Sequence, residues 1–170
     1  GVRLVGSEMC IRDRSKEYMK DKVYIKLKGL ALEEQAADGS IKEEADNIEV
    51  INVGRYTKRG GKEYIKFEEV YDGADQKSVS LIKISDDCVE VSRKGAITTC
   101  MEFVKNKKTV SCYNTPYGSI NISIFTSVLM IERQEDTIHI LLEYTMEVND
   151  QQMNTNRVEM EITNERVELY

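Results

Sequence analysis

From Met19 to Thr163 apolar and polar side chains alternate with a period of two, broken by polar turns and one longer acidic stretch, and no window carries a convincing helical period. Successive side chains of a strand point to opposite faces, so a chain patterned this way must bury one face of a sheet. In the first predicted strand Val23, Ile25 and Leu27 share one face, while Tyr24, Lys26 and Lys28 share the other. Further strands are predicted over residues 48–58, 62–70, 78–85, 89–94, 96–105, 109–113, 119–131, 137–148 and 157–163. Between the second and third, Arg59-Gly60-Gly61 reads as a tight hairpin, because paired glycines supply the positive φ that such turns require. Asp86-Asp87 and Gly95 punctuate later strands, and Thr115-Pro116-Tyr117-Gly118 reads as a type I turn with proline second. The acidic stretch from Glu33 to Asp46 reads as a loop, with a short amphipathic helix as the alternative.

Many strands in series with short turns describe an all-β, antiparallel, up-and-down barrel. An open meander of the same strands would leave unpaired edges, which invite aggregation, and closure removes them. With about eight to ten strands, the lumen is either filled by side chains or wide enough for one small ligand.

Several functional classes are set aside by composition. A chain of 170 residues with one proline fits one domain. Its net charge of −6 opposes binding to a phosphate backbone, so no nucleic-acid partner is expected. The apolar runs, such as residues 138–142, fall far short of the roughly 18 residues of a spanning helix, and no membrane span is expected. Cys10, Cys88, Cys100 and Cys112 form no CxxC pair, which fits a reducing, cytoplasmic setting. Zinc binding by Cys88, Cys100, Cys112 and His139 lacks the paired short spacings of structural sites, so neither metal nor cofactor is expected. His139 alternates with Ile138 and Ile140 and is expected to face solvent beside Glu143. Glu68-Glu69 and Asp86-Asp87 are adjacent, so their side chains point apart or sit in turns. The chain carries no ordered Ser/His/Asp set and no glycine-rich phosphate loop, and no catalytic residue is assigned.

The first residues read differently. Leu4 to Asp13 resembles one reading frame through a transposase sequencing adapter, with Arg14 completed by the first base of the insert. On that reading residues 1–18 are adapter-derived and upstream sequence, Met19 is the native start, residues 19–164 form the barrel domain and 165–170 a tail.

Strand parity nominates the polar groups of the lumen. Arg93 shares a face with Val89 and Val91, and Glu69 with Ile65 and Phe67; an inward guanidinium needs a counter-charge, and Glu69 is its expected partner. Tyr144 lies on the face of Ile140, Leu142 and Met146, Thr126 on that of Ile120, Ile122 and Ile124, and Tyr113 on that of Thr109 and Ser111.

Tyr64-x-x-Phe67-Glu68-Glu69, Val91-Ser92-Arg93-Lys94-Gly95, Met101-x-Phe103, Tyr113-x-Thr115-Pro116-Tyr117-Gly118 and Thr126, in that order, resemble the YwiB-like bacterial family over about residues 22–163. The resemblance implies a calycin, or lipocalin-like, β-barrel and carries no substrate or reaction with it. Two readings of function follow. In one, the lumen binds a small, partly apolar molecule with a carboxylate or similar head, anchored by Arg93 with Glu69 beside it. In the other, the Arg-Glu pair closes one end of a filled barrel that serves as a structural or protein-interaction module.

Overall fold

Gly60 and Gly61 turn the chain at φ 58° and 75°, joining two strands at the hairpin that the sequence marks. The structure, a computed structural model, describes residues 19–32, 48–70 and 77–168; the adapter-like start and the acidic stretch before Ile48 lie outside these. Among the described residues ten strands are formed: β1 (Lys22–Leu32), β2 (Ile48–Arg59), β3 (Lys62–Val70), β4 (Lys77–Ile84), β5 (Cys88–Lys94), β6 (Thr98–Val104), β7 (Lys108–Thr115), β8 (Gly118–Arg133), β9 (Thr137–Val148) and β10 (Gln151–Thr163). Each pairs antiparallel with its neighbours in sequence, and β10 returns to β1, closing an up-and-down barrel.

The register follows the apolar pattern. Ile25 lies opposite Ile162 and Leu27 opposite Met160, so the β1–β10 closure is made by inward apolar side chains. Ile25, Ile65, Ile82, Ile84, Ile124, Ile138, Ile140, Leu142 and Ile162 are fully buried in the lumen, each contributing about 1.5–3 kcal/mol relative to exposure. Gly54 of β2 makes room for them: a Cβ there would lie 2.7 Å from Ile25 Cδ1 and 2.8 Å from the Lys66 carbonyl oxygen.

Two irregularities shape the wall. In β8 the register slips between Thr126 and Val128, a β-bulge at Ser127. Ile124 and Thr126 point inward before it, while Leu129 and Ile131 pack against the core after it. The extra residue has moved the inward face from even to odd positions. The second irregularity is between β6 and β7, where the ladder holds only the pairs Thr98–Asn114 and Thr99–Tyr113. Beyond them the turn folds toward β8: the Asn106 amide donates to the Thr126 carbonyl at 2.7 Å, and the Thr126 amide to the Lys107 carbonyl at 3.4 Å.

β10 begins at Gln151, six residues before its predicted start, because the polar residues Gln151, Gln152, Asn154 and Asn156 hide the alternation and a bulge interrupts it between Gln152 and Asn154.

Candidate functional site

The two ends of the barrel differ in chemistry. The end carrying the β2–β3, β4–β5, β6–β7 and β8–β9 turns is capped. Glu63, 4% exposed, receives hydrogen bonds from Arg133 Nε at 2.9 Å and from the Tyr56 hydroxyl at 3.3 Å. Arg133 Nη2 also donates to the Ser85 carbonyl at 3.3 Å, so this guanidinium joins β8 to β3 and to the β4–β5 turn. Parity counted without the bulge would send Arg133 outward. The change of apolar phase at Leu129 and Ile131 is the sequence signal that could have found it.

The opposite half holds a cavity of about 150 Å³ lined by Leu27, Phe67, Ile82, Val91, Met101, Leu142 and Met160, with Glu69, Ser80, Arg93 and Tyr144 as its polar groups. Glu69 and Arg93 come from β3 and β5, with β4 between them. They meet because β4 presents only serines on its inner face there: Arg93 lies opposite Ser80, and Glu69 opposite Ser78. Arg93 Nη2 is 2.7 Å from Glu69 Oε2, and Ser80 Oγ donates to the same oxygen at 3.2 Å. The pairing expected from parity is therefore direct. The guanidinium nevertheless sits toward the mouth, its side chain 39% exposed against 14% for Glu69.

Gly95, two residues past Arg93, touches the same serine row. A Cβ at this position would lie 2.2 Å from Ser78 Oγ and 3.0 Å from Ser78 Cβ. The Arg-x-Gly spacing thus lets the chain turn against β4 immediately after delivering the guanidinium.

Tyr144 reaches the cavity from β9 and packs on Phe103 of β6, ring centroids 4.9 Å apart. Burial pushes its hydroxyl above the usual phenol range. The Phe103–Tyr144 contact spans the lumen in front of β7 and β8, and no residue of those strands lines the cavity. Thr126 and Tyr113 are consequently not part of it. Thr126 is inward and fully buried opposite Tyr144, but among the described residues its Oγ1 has no hydrogen-bond partner, and the same holds for Ser111 Oγ on β7. Tyr113 is half-buried and continues the cross-strand row Arg93, Thr99, Tyr113. Of the five nominated side chains, Arg93, Glu69 and Tyr144 come together, and Ser80 joins them. Serine is short and common on strands, so nothing in its own sequence context singled it out.

His139 lies outside, 3.8 Å from Glu161 across the β9–β10 ladder, and not beside Glu143, which pairs with Arg157 at 2.9 Å. Both are cross-strand neighbours, which outrank neighbours along one strand.

The model of a domain of unknown function, DUF1934, matches residues 34–160. An uncharacterized β-barrel protein of Bacillus subtilis strain 168, YwiB, is 29% identical over 116 residues, covering 66% of this chain and 80% of that protein. The crystal structure of the B. subtilis ywiB protein superposes with a TM-score of 0.70 at 20% identity, over 88% of this chain and 96% of that one. At that identity the structural likeness speaks for the fold alone, a closed antiparallel barrel. With three-quarters of its length matched by the family model, this chain belongs to the DUF1934 family of YwiB-like β-barrel proteins.

Proposed function

We propose that the barrel is a calycin-like container for one small, partly apolar molecule, held in the half-barrel cavity with its polar head at Arg93. The observation that carries this reading is the cavity of about 150 Å³, apolar on most sides and ending at the Glu69–Arg93–Ser80 cluster. Its volume decides the class of ligand. At about 30 Å³ per water it equals roughly five waters, well below the about 300–1,000 Å³ of sites for drug-sized molecules. A short acyl or branched aliphatic acid fits such a space; a sterol or a nucleotide does not. The planar guanidinium has five N–H donors and can donate to a second acceptor while it stays paired with Glu69, and its partial exposure leaves it within reach from the mouth. The free cysteines Cys88, Cys100 and Cys112 support a reducing, cytoplasmic setting for this role.

The test is calorimetric titration of the protein with hexanoate, followed by the Arg93→Met/Glu69→Gln double variant, which removes both charges together and strands neither. One-to-one binding lost in the double variant supports the reading. Undiminished binding in the double variant, or none in the wild type, overturns it.

A second reading is favoured by the apolar side chains around the same mouth, where Ile48, Val70, Tyr117 and Met153 are all more than 60% exposed. Here the mouth is a surface for another protein. A partner that co-purifies at one-to-one ratio and is lost in Tyr117→Ser, with hexanoate binding absent, would select this reading over the first.

A further inference from the structure

Cys100 on β6 and Cys112 on β7 stand on the outer face of neighbouring strands, each next to the last ladder pair of their seam, Thr99–Tyr113. On β6, Met101 and Phe103 point to the lumen, and on β7 Thr109 and Ser111 do, so Cys100 and Cys112 both point out; both are exposed. The ladder sets Thr98 against Asn114 and Thr99 against Tyr113, and the same register continued one step would bring Cys100 opposite Cys112. Directly opposed residues of an antiparallel pair have Cα atoms about 4.5–5.5 Å apart, inside the range of about 4.4–6.8 Å that a disulfide spans.

The seam is fixed on both sides of this pair. The two ladder pairs hold it toward the mouth. Toward the other end, the Thr109 hydroxyl donates to the Glu102 carbonyl at 2.6 Å and the Lys107 amide to the Val104 carbonyl at 3.1 Å. Between these anchors no ladder pair forms, so the backbone there can adjust to disulfide geometry without breaking one. Cys112 Sγ lies 3.2 Å from Asn114 Oδ1 on the same outer face. Cys88 is placed elsewhere, opposite Val104 and against Glu102, so neither sulfur has it as a competing cross-strand neighbour.

We infer that Cys100 and Cys112 form a reversible thiol–disulfide site, oxidised by low-molecular-weight disulfides. One protein thiolate attacks the small disulfide, forming a mixed disulfide and releasing one small thiolate. The second protein thiolate attacks the protein-bound sulfur, closing the internal S–S bond and releasing the other. Two protein thiols are oxidised, one small disulfide is reduced to two thiols, and the two protons pass to the released sulfurs. The product staples β6 to β7 where the backbone ladder lapses, beside Met101 in the cavity wall.

The experiment is incubation of the whole chain with oxidised glutathione, alkylation of remaining thiols, and tryptic mass mapping. Trypsin cuts at Lys105, Lys107 and Lys108 and so separates the two cysteines. The expected result is one linked peptide pair joining Cys100 to Cys112, reversed by dithiothreitol, with Cys112 of the Cys100→Ser variant trapped as the glutathione adduct. Separate glutathione adducts on both cysteines of the wild type, or links to Cys88 or Cys10 in their place, would overturn the inference.

Discussion

Arg133 Nε lies 2.9 Å from Glu63 Oε2 and ties the far end of β8 to the start of β3 across the capped end of the barrel. The Glu63 side chain is only 5% exposed, whereas that of Arg133 is 35% exposed. Removing the arginine leaves a buried carboxylate with, among the described residues, the Tyr56 hydroxyl as its remaining hydrogen-bond donor. Arg133→Met is expected to cost about 2–3 kcal/mol, below the roughly 3–5 kcal/mol for breaking a fully buried pair because the guanidinium is partly solvated. Urea unfolding reads this directly. The Glu63→Gln/Arg133→Met double variant is expected to recover at least half of the loss.

Gly54 and Gly95 are tight for different reasons, and their alanine variants are expected to differ accordingly. At Gly54 the added Cβ meets a backbone carbonyl at 2.8 Å, which cannot move without disturbing β3. At Gly95 the nearest atoms belong to Ser78. Gly54→Ala is expected to lose about 2–3 kcal/mol and Gly95→Ala about 1–2. Ser78→Gly should restore most of the Gly95→Ala loss, and a double-mutant cycle by thermal unfolding measures the coupling.

Thr126 offers a test of the opposite sign. Its buried hydroxyl has no partner among the described residues, and an unsatisfied buried polar group costs about 1–3 kcal/mol. Thr126→Val keeps the branched shape that a strand favours and removes the oxygen. Stability is expected to hold or to rise by up to about 1 kcal/mol. A fall greater than that in denaturant unfolding would show that an internal water or ligand hydroxyl serves the site.

Cys88 is expected to be the slow thiol. Burial first, and then the neighbouring carboxylates Glu102 and Glu90, push its pKa from 9.0 up to about 11. A shift of that size lowers the thiolate fraction near pH 8 roughly a hundredfold, with alkylation slowed in proportion. Iodoacetamide labelling followed by peptide mapping checks it. For stability the sign is fixed by the folded state holding its proton more tightly. The contribution of this thiol is whole below about pH 9 and is lost as pH rises through about 11.

The pattern of the sequence carries the wall of this barrel further than its contents. Ten strands, their order and the inward faces of β1, β3, β5 and β9 follow from alternation, since a register error would turn every apolar side chain to solvent. The Glu69–Arg93 pair was legible for the same reason: two charges on otherwise apolar faces must find each other. Arg133 was not, because one extra residue at Ser127 reverses parity and a bulge leaves only a subtle change of phase. Thr126 and Tyr113 point inward yet miss the cavity, because parity gives direction but no depth. The Phe103–Tyr144 contact, which keeps β7 and β8 out of that space, joins residues from strands that are not adjacent in the sheet.

Closure of the wall joins Tyr24 to Thr163, so the first strand finds one of its two partners only after the other nine have been made. During synthesis the nascent sheet therefore carries a sticky border until its final segment leaves the ribosome. Assembly of such long-range pairings is slow, and the half-built wall is the species most in need of chaperone protection. A gene rearranged so that translation starts at β10 and runs directly into β1 makes that junction local, but β9 then comes last and must find β10, so the exposed border moves to the β9–β10 seam: every place at which such a ring is opened leaves one.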